Sequence, residues 1–548
     1  MSSDVPRTVV LGFDALDFEY LDEFDAELPN FSRLRSDGID APLRSTHPPW
    51  TGSAWPSMYT GSDPTQHNAF GFFDYTNSYP DEASIITRND VAAPALWNYL
   101  TAIDEPSIVL NVPVTHPAEP LTGALVPGYL APEDADGYPE TIRDELSDAL
   151  GEEYSIYSKG EMSSNKSEKL DGYVHAIGLR ARAAKYLLEN WDWRVAVVQV
   201  QKTDAVFHNF DDPTAFRRVY RTADELVGTV LKTAPDANVV VCSDHGMGIT
   251  DGYKIFVNEI LREHGFVEAA ANGDDHGTGL ATVKDSLVEP EARDDSESDR
   301  TLTRTALTKG VTGLSAVGIT PGKVYTTAQR FGLGSALKRA VPQNVIAVAD
   351  QTVDWRGSKA YCRALGELGV RINLEGRDPE GVVPESEYEN VRSELIEILS
   401  EVRTPDGKPA FEFVKRAEAV SSGSDPKSGP DVVFMPTEMN HLVLPSLVGE
   451  RFLPVEEYNH KPDGVFIGAG PSFDETATLA ELSLSDVAPI AMAAAGLPVP
   501  EQMTGAVPDG LLAGAIETKA YTDVEFGTDG NVGTEGQVES RLEDLGYL

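Results

Sequence analysis

The sequence predicts an α/β fold built on a doubly wound, mainly parallel sheet, and two observations carry that prediction. Short β-branched segments alternate with longer amphipathic segments over residues 7–253, a pattern typical of parallel strands joined by crossover helices. Several of the apolar segments run directly into aspartate or histidine, most clearly in VVVCSDHG at 239–246. A parallel sheet places such residues at its carboxyl edge, where open α/β folds bind their ligands.

The elements of this core follow in chain order. Gly38 is expected to end the first helical segment, because glycine favours the position after a helix, and Pro213 to begin the last, because proline favours the first turn. Pro48-Pro49 stops any preceding element, and Thr51 is then expected at the N-cap of a helix over 53–59. We predict strands at 8–13, 107–111, 194–200 and 238–243, and helical segments around 19–37, 95–100, 168–190 and 213–233.

Changes in composition divide the chain into three predicted segments. Residues 1–254 form the first part of the α/β core, residues 255–450 a large insertion or cap, and residues 451–548 the second part of the core with an acidic tail. The insertion contains a polar, acidic stretch near 266–310 that we expect to be mobile. Further elements are expected at 370–374 (strand), 385–402 (helix) and 538–545 (helix).

Composition indicates the setting of the protein. The 548 residues carry a formal net charge of −44, spread along the chain, which is typical of a solvated acidic surface suited to high salt. Such a surface repels nucleic acid and anionic membranes, so neither partner is expected. Residues 1–7 are short and polar, so no signal peptide is expected. No membrane span is expected either, because the sequence has no apolar run of about 18 residues. The two cysteines are not expected to form a disulfide framework. We therefore expect a cytoplasmic protein of a halophile, with its oligomeric state left open.

Three carboxylates and three imidazoles form a candidate site for two divalent metal ions. They follow predicted strands or lie close to strand ends, and we expect them to converge at the carboxyl edge of the sheet. Nitrogen and oxygen donors of this kind suit Zn²⁺ best, although Mn²⁺ or Fe²⁺ fits the same donors. The candidate ligands are Asp14, Asp204, His208, Asp244, His245 and His460.

Thr51 is the candidate nucleophile and a seventh metal ligand. A hydroxyl at a helix start meets the positive end of the helix dipole, which suits a phosphoryl oxygen, and a metal ion would lower its pKa. Each residue alone has an ordinary explanation, such as a helix cap for Thr51 or a turn for Asp14. Their joint occurrence at strand ends favours the catalytic interpretation. Ser53 and Thr46 are the competing hydroxyls.

Five motifs carry a resemblance to a known family: GFDALD (12–17), PPWTGSAWPSMYTG (48–61), QKTDAVFH (201–208), SDHGM (243–247) and NHKPDGVFIGAG (459–470). Together they resemble the alkaline phosphatase superfamily, and within it the type I phosphodiesterase/nucleotide pyrophosphatase-like branch, often labelled predicted phosphohydrolase or phosphomutase. The resemblance implies an alkaline phosphatase-like fold and in-line attack on phosphorus by Thr51. A covalent phosphothreonine would then be hydrolysed by a metal-activated water. It also implies one metal on Asp204, His208 and His460, and another on Asp14, Asp244 and His245.

The reaction implied is hydrolysis of a small-molecule phosphate ester of phosphodiester or nucleotide pyrophosphate type. A phosphomonoesterase or phosphomutase is the alternative. Mutases of this superfamily carry a serine nucleophile and an insertion before the Asp/His cluster, whereas the large insertion here lies between His245 and His460. A sulfatase is the less favoured alternative, because it needs a cysteine or serine in a Cys/Ser-x-Pro-x-Arg context, which the segment Thr51-Gly52-Ser53-Ala54-Trp55 does not offer. A non-catalytic binding protein would not need the complete set of site residues.

Three further residues have open roles. His67 is expected to be structural, and Asn68 replaces the glycine that the family usually has after this histidine. Arg377, in GRDPEG, and Lys461, next to a candidate ligand, could each contact an acidic group of the substrate or lie on the surface.

Overall fold

The computed structural model describes residues 6–270, 352–420, 428–479 and 481–528. Its centre is an eight-stranded sheet whose inner strands are buried along their whole length, which explains their continuous apolar sequences. The strands, in chain order, are β1 (Thr8–Phe13), β2 (Ile39–Arg44), β3 (Ser107–Val112), β4 (Gly123–Pro127), β5 (Val195–Val200), β6 (Asn238–Cys242), β7 (Asp463–Ala469) and β8 (Leu482–Ser483).

The spatial order of the sheet is β8-β2-β7-β6-β1-β5-β3-β4. The strands from β6 to β4 pair in parallel, as do β8 and β2. β7 alone in this sheet runs antiparallel to both of its neighbours, β2 and β6. The predicted α/β fold with a mainly parallel sheet is confirmed, with this one reversed strand as an addition.

Two long helices of the core begin where a side chain accepts hydrogen bonds from their first N–H groups. Asp212 accepts a hydrogen bond from Thr214 N at the start of Pro213–Thr233, and Asn165 caps Lys166–Asn190 in the same way. These two long helices pack against each other. The described α-helices are Phe18–Glu23, Pro29–Asp37, Thr51–Thr60, Pro64–His67, Leu96–Thr101, Ile142–Leu150, Lys166–Asn190, Lys202–Asn209, Pro213–Thr233, Val257–Glu263, Glu385–Glu401 and Val487–Ala494.

The prediction of one helical segment over 19–37 is wrong in detail. Proline at position 29 has no N–H and its ring clashes with a preceding helical turn, so the chain breaks there. Gly38 ends the last piece with φ −141°, an extended conformation instead of a left-handed cap. A Cβ at Gly38 would lie 2.3 Å from Gly468 O, so close approach to β7 requires the glycine. The three pieces are Phe18–Glu23, the 3₁₀ turn Asp25–Glu27 and Pro29–Asp37.

A second hydrophobic cluster lies mostly in the predicted insertion. In it, Leu395 and Leu399 of helix Glu385–Glu401 lie with Val370 and Phe434 of a four-stranded antiparallel sheet. The predicted strand and helix of this region are confirmed, at Gly369–Ile372 and Glu385–Glu401, whereas the three-segment division of the chain stays a prediction. The strands outside the central sheet are Phe73–Asp74, Ser84–Ile85, Gly246–Thr250, Tyr253–Phe256, Ala360–Tyr361, Gly369–Ile372, Phe411–Arg416, Val432–Pro436, Leu442–Leu444, Phe452–Pro454, Glu457–Lys461, Val499–Pro500 and Thr518–Lys519.

Two predictions fall largely on residues that are not described. A mobile stretch was expected at 266–310. Its predicted first residues, Phe266 and Val267, are buried and so do not fit an exposed mobile loop. Residues 271–310 lie outside the described residues. The helix expected at 538–545 lies outside them too. Within the described ranges, no helix combines the length and apolar character needed to cross a membrane.

Candidate metal centre

Four of the predicted ligands lie where three adjacent parallel strands end. Asp14 directly follows β1, Asp244 and His245 come just after β6, and Asp204 lies in the first turn of the helix that follows β5. Because β6, β1 and β5 are neighbours with the same direction, their carboxyl ends meet at one edge of the sheet.

His460 reaches the same edge by the opposite chain direction. It lies in the strand Glu457–Lys461, which pairs with Gly246–Thr250 and leads directly into β7. Since β7 is antiparallel to β6, its beginning lies at the edge where β6 ends. The reversed strand is therefore what brings the last predicted ligand into the site.

The first candidate metal group consists of Asp14, Asp244 and His245, all buried. His245 Nε2 lies 3.5 Å from Asp14 Oδ1 and 3.4 Å from Asp244 Oδ2. Within the described part of the chain, neither His245 Nε2 nor Asp244 Oδ2 has a hydrogen-bond partner. Buried polar atoms without a partner are costly, and a bound cation would satisfy both.

The second candidate group consists of Asp204, His245 and His460. His460 Nε2 lies 3.6 Å from Asp204 Oδ1, and the His245 and His460 rings stack with their centroids 3.7 Å apart. His208 lies at the rim, 12 % exposed, with Nε2 3.1 Å from Asp204 Oδ1. His245 thus belongs to both groups, and His208 contacts the second group through Asp204.

The two buried histidines of the centre, His245 and His460, direct Nε2 toward the aspartates of their groups. Nδ1 of His245 lies 2.9 Å from Gly246 O, and Nδ1 of His460 lies 3.0 Å from Pro49 O. A carbonyl oxygen can only accept, so each Nδ1 carries the proton and donates it. Backbone carbonyls orient metal-binding histidines in this way, which leaves Nε2 for the metal.

The electrostatics of the centre favour a cation. Burial, with the charge of Asp244 added, raises the pKa of Asp14 well above its ordinary value, and burial likewise raises the pKa of Asp244. Burial alone would lower the pKa of His245, but the carboxylates of Asp244 and Asp14 outweigh it and raise that pKa to about 10. Divalent cations would neutralise this concentration of buried carboxylates, so the donor set fits two such ions.

The Thr51 hydroxyl faces this centre. Its Oγ1 donates to Asp14 Oδ1 over 3.4 Å. The predicted N-cap position is wrong by one residue: Trp50 is the N-cap, with an extended backbone and no side-chain cap, and Thr51 is the first helical residue. The competing Ser53 hydroxyl is engaged elsewhere, because it donates to Pro48 O over 2.7 Å.

Sequence reasoning missed two amides beneath the centre. Gln199, in β5, donates from Nε2 to Asp14 Oδ2 over 3.1 Å. Asn111, in β3, donates from Nδ2 to Gln199 Oε1 over 3.1 Å. Both are buried. The signals for them were an amide in each of two largely apolar runs, Gln199 in VAVVQV and Asn111 in SIVLNV.

His67 has structural contacts, as expected. Its Nδ1 accepts from Ala69 N over 3.2 Å, so Nε2 carries the proton and donates to Ser57 Oγ over 2.8 Å. Burial lowers the pKa of His67 to about 3.

The two open cationic residues also have protein partners. Arg377 Nη1 lies 2.6 Å from Asp431 Oδ1 within the insertion. Lys461 Nζ donates to Met439 O over 2.9 Å. These contacts favour structural roles for both residues.

Comparisons with known proteins agree with this architecture. Residues 8–443 match the family described as "Type I phosphodiesterase / nucleotide pyrophosphatase"; His460 lies beyond the matched range. No curated protein matches.

Two solved structures of phosphonoacetate hydrolase from Sinorhizobium meliloti 1021 are similar to the chain. One is a complex with phosphonoformate (TM-score 0.51) and the other a complex with phosphonoacetate (TM-score 0.53). Each has 16% identity and covers 90% of this chain and 96% of its own. At that identity the likeness shows a shared fold. The family match spans most of the chain. The chain therefore belongs to the type I phosphodiesterase/nucleotide pyrophosphatase family, a family of phosphohydrolases in the alkaline phosphatase superfamily.

Proposed function

We propose that this protein is a metal-dependent phosphoric-ester hydrolase of the phosphodiesterase or nucleotide pyrophosphatase type, with Thr51 as its nucleophile. The observation that carries the proposal is the direction of the Thr51 hydroxyl, which points at Asp14 Oδ1 from the start of a helix. Asp14 belongs to a buried Asp/His group. The Thr51 hydroxyl therefore lies next to the candidate cation group that contains Asp14.

The residues of the chain divide the work of the reaction. Thr51 Oγ1 loses its proton to solvent and forms a bond to phosphorus while the bond from phosphorus to the leaving oxygen breaks, and that oxygen takes up a proton from solvent. Water then cleaves the phosphothreonine, which restores the Thr51 hydroxyl and releases the phosphoryl group. Thr51 and Gly52 begin helix Thr51–Thr60, ahead of the first bonds from Ser53 N and Ala54 N to Trp50 O. N–H groups at such a helix start favour phosphoryl oxygens. When bound, the divalent cations supply Lewis-acid stabilisation of negative charge on oxygen. Asp14, Asp204, Asp244, His245 and His460, with His208 at the rim, would hold them.

The ions proposed are two Zn²⁺, because imidazole and carboxylate donors together suit zinc. Mn²⁺ and Fe²⁺ are the alternatives that these donors also bind. The net charge of −44 supports a high-salt working environment.

A substrate panel tests the proposal. An aryl phosphodiester, a nucleotide pyrophosphate, an aryl phosphomonoester, an aryl sulfate and phosphonoacetate are offered in molar KCl, with Zn²⁺, Mn²⁺ and Fe²⁺ supplied in turn. Phosphonoacetate is included because the solved relative was crystallised with it. We expect the diester or pyrophosphate to turn over fastest and all turnover to stop after chelation. Preference for the monoester would favour the phosphatase or mutase alternative, and turnover that survives exhaustive chelation would refute metal dependence.

Thr51→Ala tests the nucleophile, with Ser53→Ala as the matched control on the same helix. Thr51→Ala removes the attacking oxygen and leaves the Asp/His groups intact, so turnover is expected to fall by about three orders of magnitude or more while metal content is kept. Thr51→Ser retains a hydroxyl and is expected to keep measurable turnover. Near wild-type turnover of Thr51→Ala, with loss in Ser53→Ala, would move the nucleophile to Ser53.

A further inference from the structure

The His460 ring is held between two other rings. His245 stacks on it at 3.7 Å between centroids and 15° between planes, and Trp50 lies against it at 4.2 Å and 43°. Its Nδ1 donates to Pro49 O. Trp50 and Pro49 therefore limit both the tilt and the rotation of the imidazole. These two residues directly precede Thr51, so one tripeptide contacts the ligand and carries the nucleophile.

The insertion lies against the Trp50 indole. A Cβ added at Gly366 would be 2.3 Å from Trp50 Cε2 and 2.5 Å from Cζ2, so the backbone of Gly366 lies directly on the ring. The glycine has φ +75°, in the left-handed region. Both the conformation and the close approach thus require glycine at this position.

The loop that carries Gly366 is held in place by its own buried contacts. Glu367 accepts hydrogen bonds of 2.7 Å from Arg363 N and from Arg363 Nε. Arg363 and Glu367 are each 6% exposed. A backbone held in this way is a firm support for the indole it touches.

We propose that Trp50 is a positioning residue for His460 and that the Gly366 loop is its support, so that the insertion takes part in holding a metal ion. The proposal rests on the proposed function in one respect, namely that His460 is a ligand of a divalent cation. Metal affinity, which depends on the orientation of the ligand ring, should change when the contact between Gly366 and Trp50 changes.

Gly366→Ala tests the proposal against Gly376→Ala. Gly376 has φ +79° in the same insertion, but a Cβ there would meet nothing within 4 Å. Both variants impose the same backbone strain, and only Gly366→Ala pushes on Trp50. Zn²⁺ dissociation constants are measured by chelator competition on the full-length protein in molar KCl, with melting temperatures alongside. We expect Gly366→Ala to bind one of two Zn²⁺ equivalents about 10-fold or more weakly and Gly376→Ala to bind like the wild type. Equal affinity in the two variants, or binding of no Zn²⁺ by the wild type, would overturn the proposal.

Trp50→Phe provides a second test that does not depend on the strained backbone. The smaller ring keeps an aromatic face on His460 and leaves room for a methyl group at position 366. The double variant Trp50→Phe/Gly366→Ala is therefore expected to bind Zn²⁺ better than Gly366→Ala alone, a non-additive result typical of residues in direct contact. If the losses of Zn²⁺ affinity in the two single variants simply add in the double variant, the proposed contact between Trp50 and Gly366 is contradicted.

Affinity and turnover separate the two proposals. An altered Zn²⁺ affinity in Gly366→Ala, in a protein that hydrolyses no phosphate ester, would support the positioning role and refute the proposed function. Hydrolysis of a phosphate ester by a Gly366→Ala protein with wild-type Zn²⁺ affinity would support the proposed function and refute the positioning role.

Discussion

Replacing Gln199 by Met should weaken metal binding although every proposed ligand residue is kept. Gln199 is fully buried in β5, and its Nε2 donates to Asp14 Oδ2 over 3.1 Å. Methionine has a similar volume and no hydrogen-bond donor of this kind. The change therefore removes one orienting contact on the Asp14 carboxylate and leaves the cavity filled.

The size of the effect follows from that one contact. Loss of a contact that orients a metal-binding side chain typically lowers metal affinity by about 10- to 100-fold, which is about 1.4–2.8 kcal/mol at about 1.4 kcal/mol per factor of ten. Zn²⁺ affinity at the group containing Asp14 is therefore expected to fall by about 10- to 100-fold. Asn111 Nδ2 loses its Gln199 Oε1 acceptor as well, although the backbone oxygen of residue 199 still lies 3.4 Å away.

Chelator competition measures the affinity, and Asn238→Leu is the control. Asn238 is a fully buried amide that donates to Ala494 O over 2.8 Å, at the amino end of β6 and thus at the far edge of the sheet. Both variants should lose stability, since each breaks a buried hydrogen bond, but only Gln199→Met should lose Zn²⁺ affinity. If the two variants bind Zn²⁺ equally well, the Gln199 contact does not orient Asp14 and the reasoning fails.

Four further predictions follow from the structure. Glu119→Gln leaves the buried Arg88 without its counter-charge and is expected to cost about 3–5 kcal/mol of unfolding free energy, measured by denaturant titration; a cost below about 1 kcal/mol would contradict it. The melting temperature should rise between low and molar KCl, because salt screens the repulsion within a net charge of −44, and a flat or falling trend would count against this. Chelation should lower the melting temperature, because bound ions stabilise the folded state by mass action; no shift would argue against tight binding. His67 has a pKa of about 3 in the folded protein, below the value of about 6.5 expected in the unfolded chain. As the pH falls below about 6.5, the unfolded chain therefore takes up a proton at His67 that the folded protein does not, and the folded state loses stability. His67→Gln should accordingly lose less stability than the wild type between pH 7 and pH 5, and equal losses would refute that assignment.

Local patterns in the sequence were enough to predict the core of the sheet and most of the site. The continuous apolar strands and the acidic residues that follow them are contiguous in the chain, and parallel pairing then brings Asp14, Asp204 and Asp244 to one edge. Helix Pro213–Thr233 was also predictable, because its proline and its amphipathic repeat are local features. Predictions that depended on single positions were less accurate. Thr51 is the first helical residue and not the N-cap, because Trp50 takes the extended position and packs on His460.

The sequence by itself determined the fold class, the six metal-ligand candidates and a hydroxyl beside them, since each is written in a short contiguous motif. Only the tertiary structure decided how His460 enters, because that depends on the reversed direction of β7 against β6. Only the tertiary structure revealed the contact of Gln199 with Asp14, which lie 185 positions apart in the chain. The same holds for the contact of Gly366 with Trp50, which lie more than 300 positions apart. Such pairings depend on register and on close packing in three dimensions, which periodicity along a sequence does not encode.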